Sequence, residues 1–172
     1  MDNQALTDRR VVTAQLGRAA RGQWDVAHRC PYGYPQVIRV HPVVAGHPFP
    51  TLYWLTCPFL KREVSRLEAD GWVKRLEARM AASPELSASM SEAHERYRRA
   101  RNALLSDVRI DAAVAESLKH GIGGISDRRY LKCLHLHVAH ALVGENSIGA
   151  IVLDLVSDSA CSRKEVICSA YV

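Results

Sequence analysis

The sequence predicts an α+β fold: a small proline-rich, β-containing N-terminal part packed on a predominantly helical body. Three observations predict it. Prolines 31, 35, 42, 48, 50 and 58 crowd one segment and forbid a long helix there. The runs between them, WDVAHRC, QVIRV and TLYWLTC, are rich in β-formers. Beyond Pro58 the chain reads as successive helices, each with start or stop residues of its own. At 172 residues the chain is most simply one domain, 1–172. A domain of that size buries roughly 70% of its unfolded surface and needs no disulfides.

Each element has a local reason. Leu6, Val11, Val12 and Leu16 among polar neighbours predict a short amphipathic helix ending at Gly17 or Gly22. Two or three strands follow, with GHP at 46–48 as a turn. FLKREVSRLEADG predicts a helix closed by Gly71, and WVKRLEARMAA a second. Ser83 followed by Pro84 is an N-cap signature for a long, charged helix running to about residue 106. A short helix near 111–119 ends at the glycines of GIGG. Ser126 or Asp127 is expected to cap the helix carrying KCLHLHVAH, and Asn146 the last helix through IGAIVLDLV. The tail, 157–172, gives no clear pattern, and VICSAYV reads as a strand or as disorder.

Charge and composition narrow the function classes. The net charge of +5 is spread along the chain, with no dense basic cluster interleaved with aromatics. That argues against a nucleic-acid surface and leaves room for an anionic small molecule as partner. No run approaches about 18 apolar residues, so no membrane span is expected. MDNQALTDRR lacks the basic and apolar regions of a signal peptide, so the expected location is the cytoplasm, where cysteines stay reduced.

The chemistry concentrates in cysteine and histidine. Cys30 lies in CPYGYP, Cys57 in LTCP and Cys133 in KCLHLHVAH, which also supplies His135, His137 and His140. On a helix Cys133, His137 and His140 would share a face at i, i+4, i+7. Thiolate and imidazole together suit zinc. The wide separation of the cysteines excludes a compact finger, so these residues meet only through the tertiary fold. Three cysteines with a histidine would make a closed zinc site; three cysteines would also hold an iron–sulfur cluster. The plain alternative is that free cysteines are simply buried. Cys161 and Cys168 are assigned no role.

Two further patterns are weaker. His94, Tyr97 and Arg101 fall at i, i+3, i+7 on the charged helix and would offer a proton carrier, a donor and an anion clamp. A solvated face of paired charges explains the same helix. GIGGISDRR offers backbone amides to an anion but lacks the spacing of a phosphate loop and reads better as a linker.

Taken together, QLGRAARG, RCPYGYPQVI, HPFPTLYWLTCP, HERYRRAR, KCLHLHVAHAL and ENSIGA resemble a family of uncharacterised bacterial proteins, DUF501. The resemblance covers most of residues 15–150 and brings no established activity. Its pattern admits histidine where Cys57 stands, which implies a ligand rather than a nucleophile. Asn146-Ser147-Ile148-Gly149 departs from the Asn-Pro-x-Gly of that pattern. The expectation is a metal-binding protein, zinc ahead of an iron–sulfur cluster, with Cys30, Cys57 and Cys133 as ligands and His137, His140 or His135 completing the shell; an open position, if the site keeps one, would serve hydrolysis. The alternatives are a metal-free thiol enzyme using Cys133 or Cys30, and an interaction protein whose metal site is structural.

Overall fold

The computed structural model describes residues 3–105, 109–156, 158 and 160–172. Helix α1 (Asn3–Leu16) leads into the strands β1 (Trp24–Arg29), β2 (Pro35–Val40), β3 (Val43–Val44), β4 (His47–Pro48) and β5 (Tyr53–Leu55). Helices α2 (Pro58–Ala69), α3 (Trp72–Ala82), α4 (Pro84–Ala103), α5 (Ala112–Ser117), α6 (Leu134–Val143) and α7 (Ser147–Leu155) follow, and a 3₁₀ turn (Ile167–Tyr171) ends the chain. This is the α+β arrangement that the prolines predict.

Strand β2 is the centre of an antiparallel sheet ordered β1-β2-β5. Val37 faces Leu55, and Ile38 faces Trp54 and Val26. Successive side chains leave opposite faces of a strand, so Val37 and Ile38 serve different cores. Val37 joins Leu52, Leu55, Leu60 and Leu134 in the large core shared with the helices. Ile38 and Val40 meet Val12 of α1 in a second, smaller core. The sheet is therefore sandwiched between α1 and the helical body. Strands β3 and β4 form a separate ribbon whose turn is Ala45-Gly46, both at positive φ, rather than the expected GHP.

Chain punctuation explains the helical body. Ser83 Oγ accepts the Leu86 amide at 3.1 Å to start α4, and Gly71 at φ 80° separates α2 from α3. The expected end of α4 near residue 106 lies outside the described residues; the helix closes at Ala103. Asn146 Oδ1 accepts the Gly149 amide at 2.8 Å and caps α7. Helices α6 and α7 meet at 102°. At their crossing a Cβ on Gly149 would overlap the His137 carbonyl oxygen, so only glycine permits the approach. No single helix among the described residues is long and apolar enough to cross a membrane.

Two further expectations are corrected. The tail is neither strand nor disorder at its end: residues 167–171 form a 3₁₀ turn, with Cys168 buried. Helix α6 does not begin at Ser126 or Asp127. It begins at Leu134, with Cys133 as an extended N-cap residue at φ −165°, ψ 156°.

Candidate metal centre

That late start of α6 decides the site. An extended Cys133 lies before the helix and cannot share a helical face with His137 and His140, so the predicted i, i+4, i+7 triad does not form. Carboxylates from other segments hold the approach in place. Glu77 Oε1 accepts the Leu131 amide at 2.8 Å, and Glu68 Oε1 accepts the Leu134 amide at 2.6 Å. These acids satisfy amides that a longer helix would have bonded internally or through Ser126.

Cys133 instead meets His135, the histidine with the least claim on the predicted face, and Glu68, at the end of α2. One ligand atom from each of Glu68, Cys133 and His135 lies within 4.8 Å of the other two, and all three residues are half-buried. His135 Nδ1 stands 3.1 Å from Glu68 Oε1. His135 Nε2 lies 3.2 Å from the Lys61 carbonyl oxygen and 3.3 Å from Ser65 Oγ. The Lys61 carbonyl and the Glu68 carboxylate both only accept, so the doubly protonated imidazolium satisfies both at once, whereas Nε2–H on Lys61 alone leaves the Nδ1 lone pair facing Glu68. An imidazole lone pair, a carboxylate oxygen and a sulfur turned toward one another need a cation, whether proton or metal, among them. The hydrogen bond with Cys133, helped by the Glu68 charge and opposed by burial, raises the His135 pKa above that of an ordinary imidazole.

The comparisons with known proteins bear on three quarters of the chain. The model of a family described as "Protein of unknown function (DUF501)" matches residues 26–154. The chain belongs to the DUF501 family. No curated protein and no solved structure matches it.

In this DUF501 chain the remaining predicted ligands separate from Cys133. His137 and His140 point into the core, where Asn146 Nδ2 donates to both Nδ1 atoms at 3.2 Å. His140 stacks on Tyr53 and meets Tyr97 edge-on, at 5.8 and 5.2 Å between ring centres. Burial, with Arg96 nearby, pushes His140 down to about 4; burial, with His94 nearby, pushes His137 down to about 3. Both rings are neutral at physiological pH. Among the described residues neither belongs to a group of three donors close enough to hold one ion. Cys30 follows β1 and Cys57 caps α2, each just past a strand end as expected, but neither converges on Cys133.

The second predicted set is corrected as well. His94, Tyr97 and Arg101 do share one face of α4, and that face is the buried one, at 1% exposure or less. The charges pair on the opposite side, Glu92 with Arg96 and Glu95 with Arg98 and Arg128. Arg101 donates to the carbonyls of Pro50, Leu118, His120 and Gly121. With both Nη atoms on four carbonyls and its Nε buried, this guanidinium is a structural clasp that no substrate anion reaches from solvent. Tyr97 Oη accepts the Leu52 amide at 2.6 Å, and burial pushes its pKa up to about 12. His94 Nδ1 accepts the Ile122 amide at 3.0 Å, so the GIGG segment wraps this histidine rather than an anion. Burial, with Arg128 nearby, lowers His94 to about 4.

Sequence reasoning missed Glu68. In RLEADG it is one acid among several at an exposed-looking helix end, and no local spacing connects it to Cys133.

Proposed function

We propose that this chain is a metal-binding protein whose centre is formed by Glu68, Cys133 and His135, with zinc as the favoured ion. The observation that carries the reading is the convergence of one oxygen, one sulfur and one nitrogen donor within 4.8 Å of one another. A mixed O, S, N set matches a borderline ion better than a hard one such as magnesium or a soft one such as copper(I). The outer hydrogen bonds support it too. A ligating histidine commonly donates its other ring N–H to a backbone carbonyl, the relation His135 Nε2 has with Lys61. Three protein ligands leave a fourth position for water, the pattern of catalytic rather than structural zinc, and the side chains of Glu68 and His135 are each 26% exposed. A zinc ion there would make bound water a nucleophile near neutral pH, which is the chemistry of a hydrolase.

The test is zinc content of untagged protein, with Glu68→Gln, Cys133→Ser and His135→Asn. The reading expects about one zinc at this centre, weakened about tenfold or more by each change. Cobalt substitution expects a single cobalt–thiolate absorption, absent in Cys133→Ser. Unchanged metal content in all three variants would defeat it.

One observation favours a second reading. Cys133 occupies the N-cap position of α6 with its sulfur within 4.8 Å of a His135 ring nitrogen, and Glu68 holds that ring from α2. A thiol beside a positioned histidine is the arrangement of a thiol nucleophile. Under that reading metal-free protein carries one cysteine, Cys133, that alkylates far faster than the others, and His135→Asn slows it.

A further inference from the structure

The tail cysteines do not stand alone. Cys168 Sγ accepts Gln15 Nε2 at 3.2 Å, and the same amide nitrogen donates to the Pro35 carbonyl at 2.7 Å. This places Cys168 against the start of β2, where Pro35 pairs with Arg29, the residue before Cys30. One residue further, the Gln36 carbonyl accepts the amides of Thr56 and Cys57, while its side-chain nitrogen lies 4.0 Å from Cys57 Sγ. Tyr32 Oη donates to the Cys161 carbonyl at 2.8 Å and holds that part of the tail over the β1–β2 turn. Cys168 is consequently in electrostatic range of Cys57, Cys30 and Cys161, and Cys57 in range of Cys161.

We propose that Cys30, Cys57, Cys161 and Cys168 form a four-thiolate metal centre, separate from Glu68, Cys133 and His135, that fastens the tail to the sheet. Thiolate donors of this kind take zinc or an iron–sulfur cluster.

Two features of the surroundings fit a thiolate centre. Gln15 and Gln36 aim amide N–H groups at two of the sulfurs, the usual support for metal-bound thiolate. Lys61 Nζ reaches the Gln15 carbonyl at 3.3 Å, and Arg29, itself paired with Asp8 at 2.6 Å, lies beside Cys30, so Lys61 is the cation that stands close to what would be a surplus of negative charge.

The spacing separates the two occupants. Four sulfurs at about 2.3 Å from one zinc stand about 3.8 Å apart. No three of these sulfurs lie within 4.8 Å of one another. A cluster in which each cysteine binds its own iron needs its sulfurs further apart than a single zinc does, whereas zinc requires these sulfurs to close in. The family match ends at residue 154, so two of the four ligands lie beyond it.

The experiment uses the full chain, purified anaerobically without a tag. Iron, acid-labile sulfide and zinc are measured in the wild type and in Cys161→Ser, Cys168→Ser and Cys133→Ser. The proposal expects the metal of this centre to fall about tenfold or more in the first two variants and to remain in Cys133→Ser. X-ray absorption of the metal retained in Cys133→Ser then shows a shell of four sulfurs. Iron with sulfide identifies the cluster, and zinc without sulfide the single ion. In case a tail variant fails to fold, residue-by-residue alkylation of the wild type gives an independent readout: Cys30, Cys57, Cys161 and Cys168 become reactive only after chelation, with Cys133 of the other centre scored separately. The proposal is overturned if the tail variants keep the full metal content, if chelation leaves thiol reactivity unchanged, or if two of these cysteines are joined as a disulfide. Loss of metal in Cys133→Ser alone would uphold the Glu68 centre and reject this one.

Discussion

Histidine behaves in opposite ways in two regions of this molecule. At the start of α6, His135 faces a thiol and a carboxylate, and its proton affinity rises. Inside the helical body, His94, His137 and His140 face an amide, aromatic rings and each other, and their proton affinity falls to about 4, 3 and 4. His135 and His137 are two residues apart on the same helix, so propensity and local sequence cannot distinguish them. The difference lies in which partner the ring nitrogen meets. Acceptors around Nδ1 invite a cation, whereas the Asn146 or Ile122 N–H fills the same position with a neutral donor. A histidine-rich segment thus carries one candidate ligand and two structural residues.

That contrast can be broken most severely at Arg101. Arg101→Met leaves four buried carbonyls without their donor and should destabilise the chain by more than about 3 kcal/mol in urea unfolding. Where the variant folds, metal content should be unchanged. Acid gives the next largest effect. His94 and His140 titrate at about 4 when folded and near 6.5 when unfolded, so the unfolded chain binds the extra protons. Stability is complete above pH 6.5 and falls as the pH drops toward 4, by roughly 3 kcal/mol per histidine at the lower end. Replacing His140 by Gln should flatten that slope, and a slope that stays the same would place the acid sensitivity elsewhere. Tyr97→Phe removes the acceptor of the buried Leu52 amide and should destabilise by about 1–3 kcal/mol.

The smallest effect sharpens the other side. Glu68→Gln removes the charge beside His135 and should lower its titration, followed by nitrogen-detected NMR on metal-free protein. The sign runs opposite to the core. Because the folded value is raised, the pair stabilises below the ordinary histidine pKa, and that contribution disappears as pH rises through the raised value. Both side chains are 26% exposed, so it amounts to less than about 1 kcal/mol.

Much of the fold was legible because its punctuation is local. The prolines confine the strands, and Ser83 and Asn146 cap the helices they were expected to cap. Ser126 and Asp127 carry the same kind of signal and do not start α6, because Glu68 and Glu77 reach across from α2 and α3 to hold Leu134 and Leu131. That competition is tertiary and leaves no trace in the local pattern. The candidate centre depended on it: about two turns of helix decided whether Cys133 would face His137 or His135. Cys30 and Cys57 showed their strand-end positions in the sequence, but Gln15, 153 residues from Cys168, is what places the tail beside them.

The glycine joint of α6 and α7 also bears on the order in which the molecule assembles. Gly149 lets two short helices cross through a connection of only a few residues, and Asn146 at that joint bonds both neighbouring imidazoles. Contacts so near in sequence close at small entropic loss, whereas the Arg101 clasp and the Gln15 contacts await distant segments. The α6–α7 corner is therefore the natural nucleus, onto which β5 and α2 condense. Ala substitution at Gly149 should slow folding as well as weaken the native state, with a φ-value well above that of Tyr97→Phe.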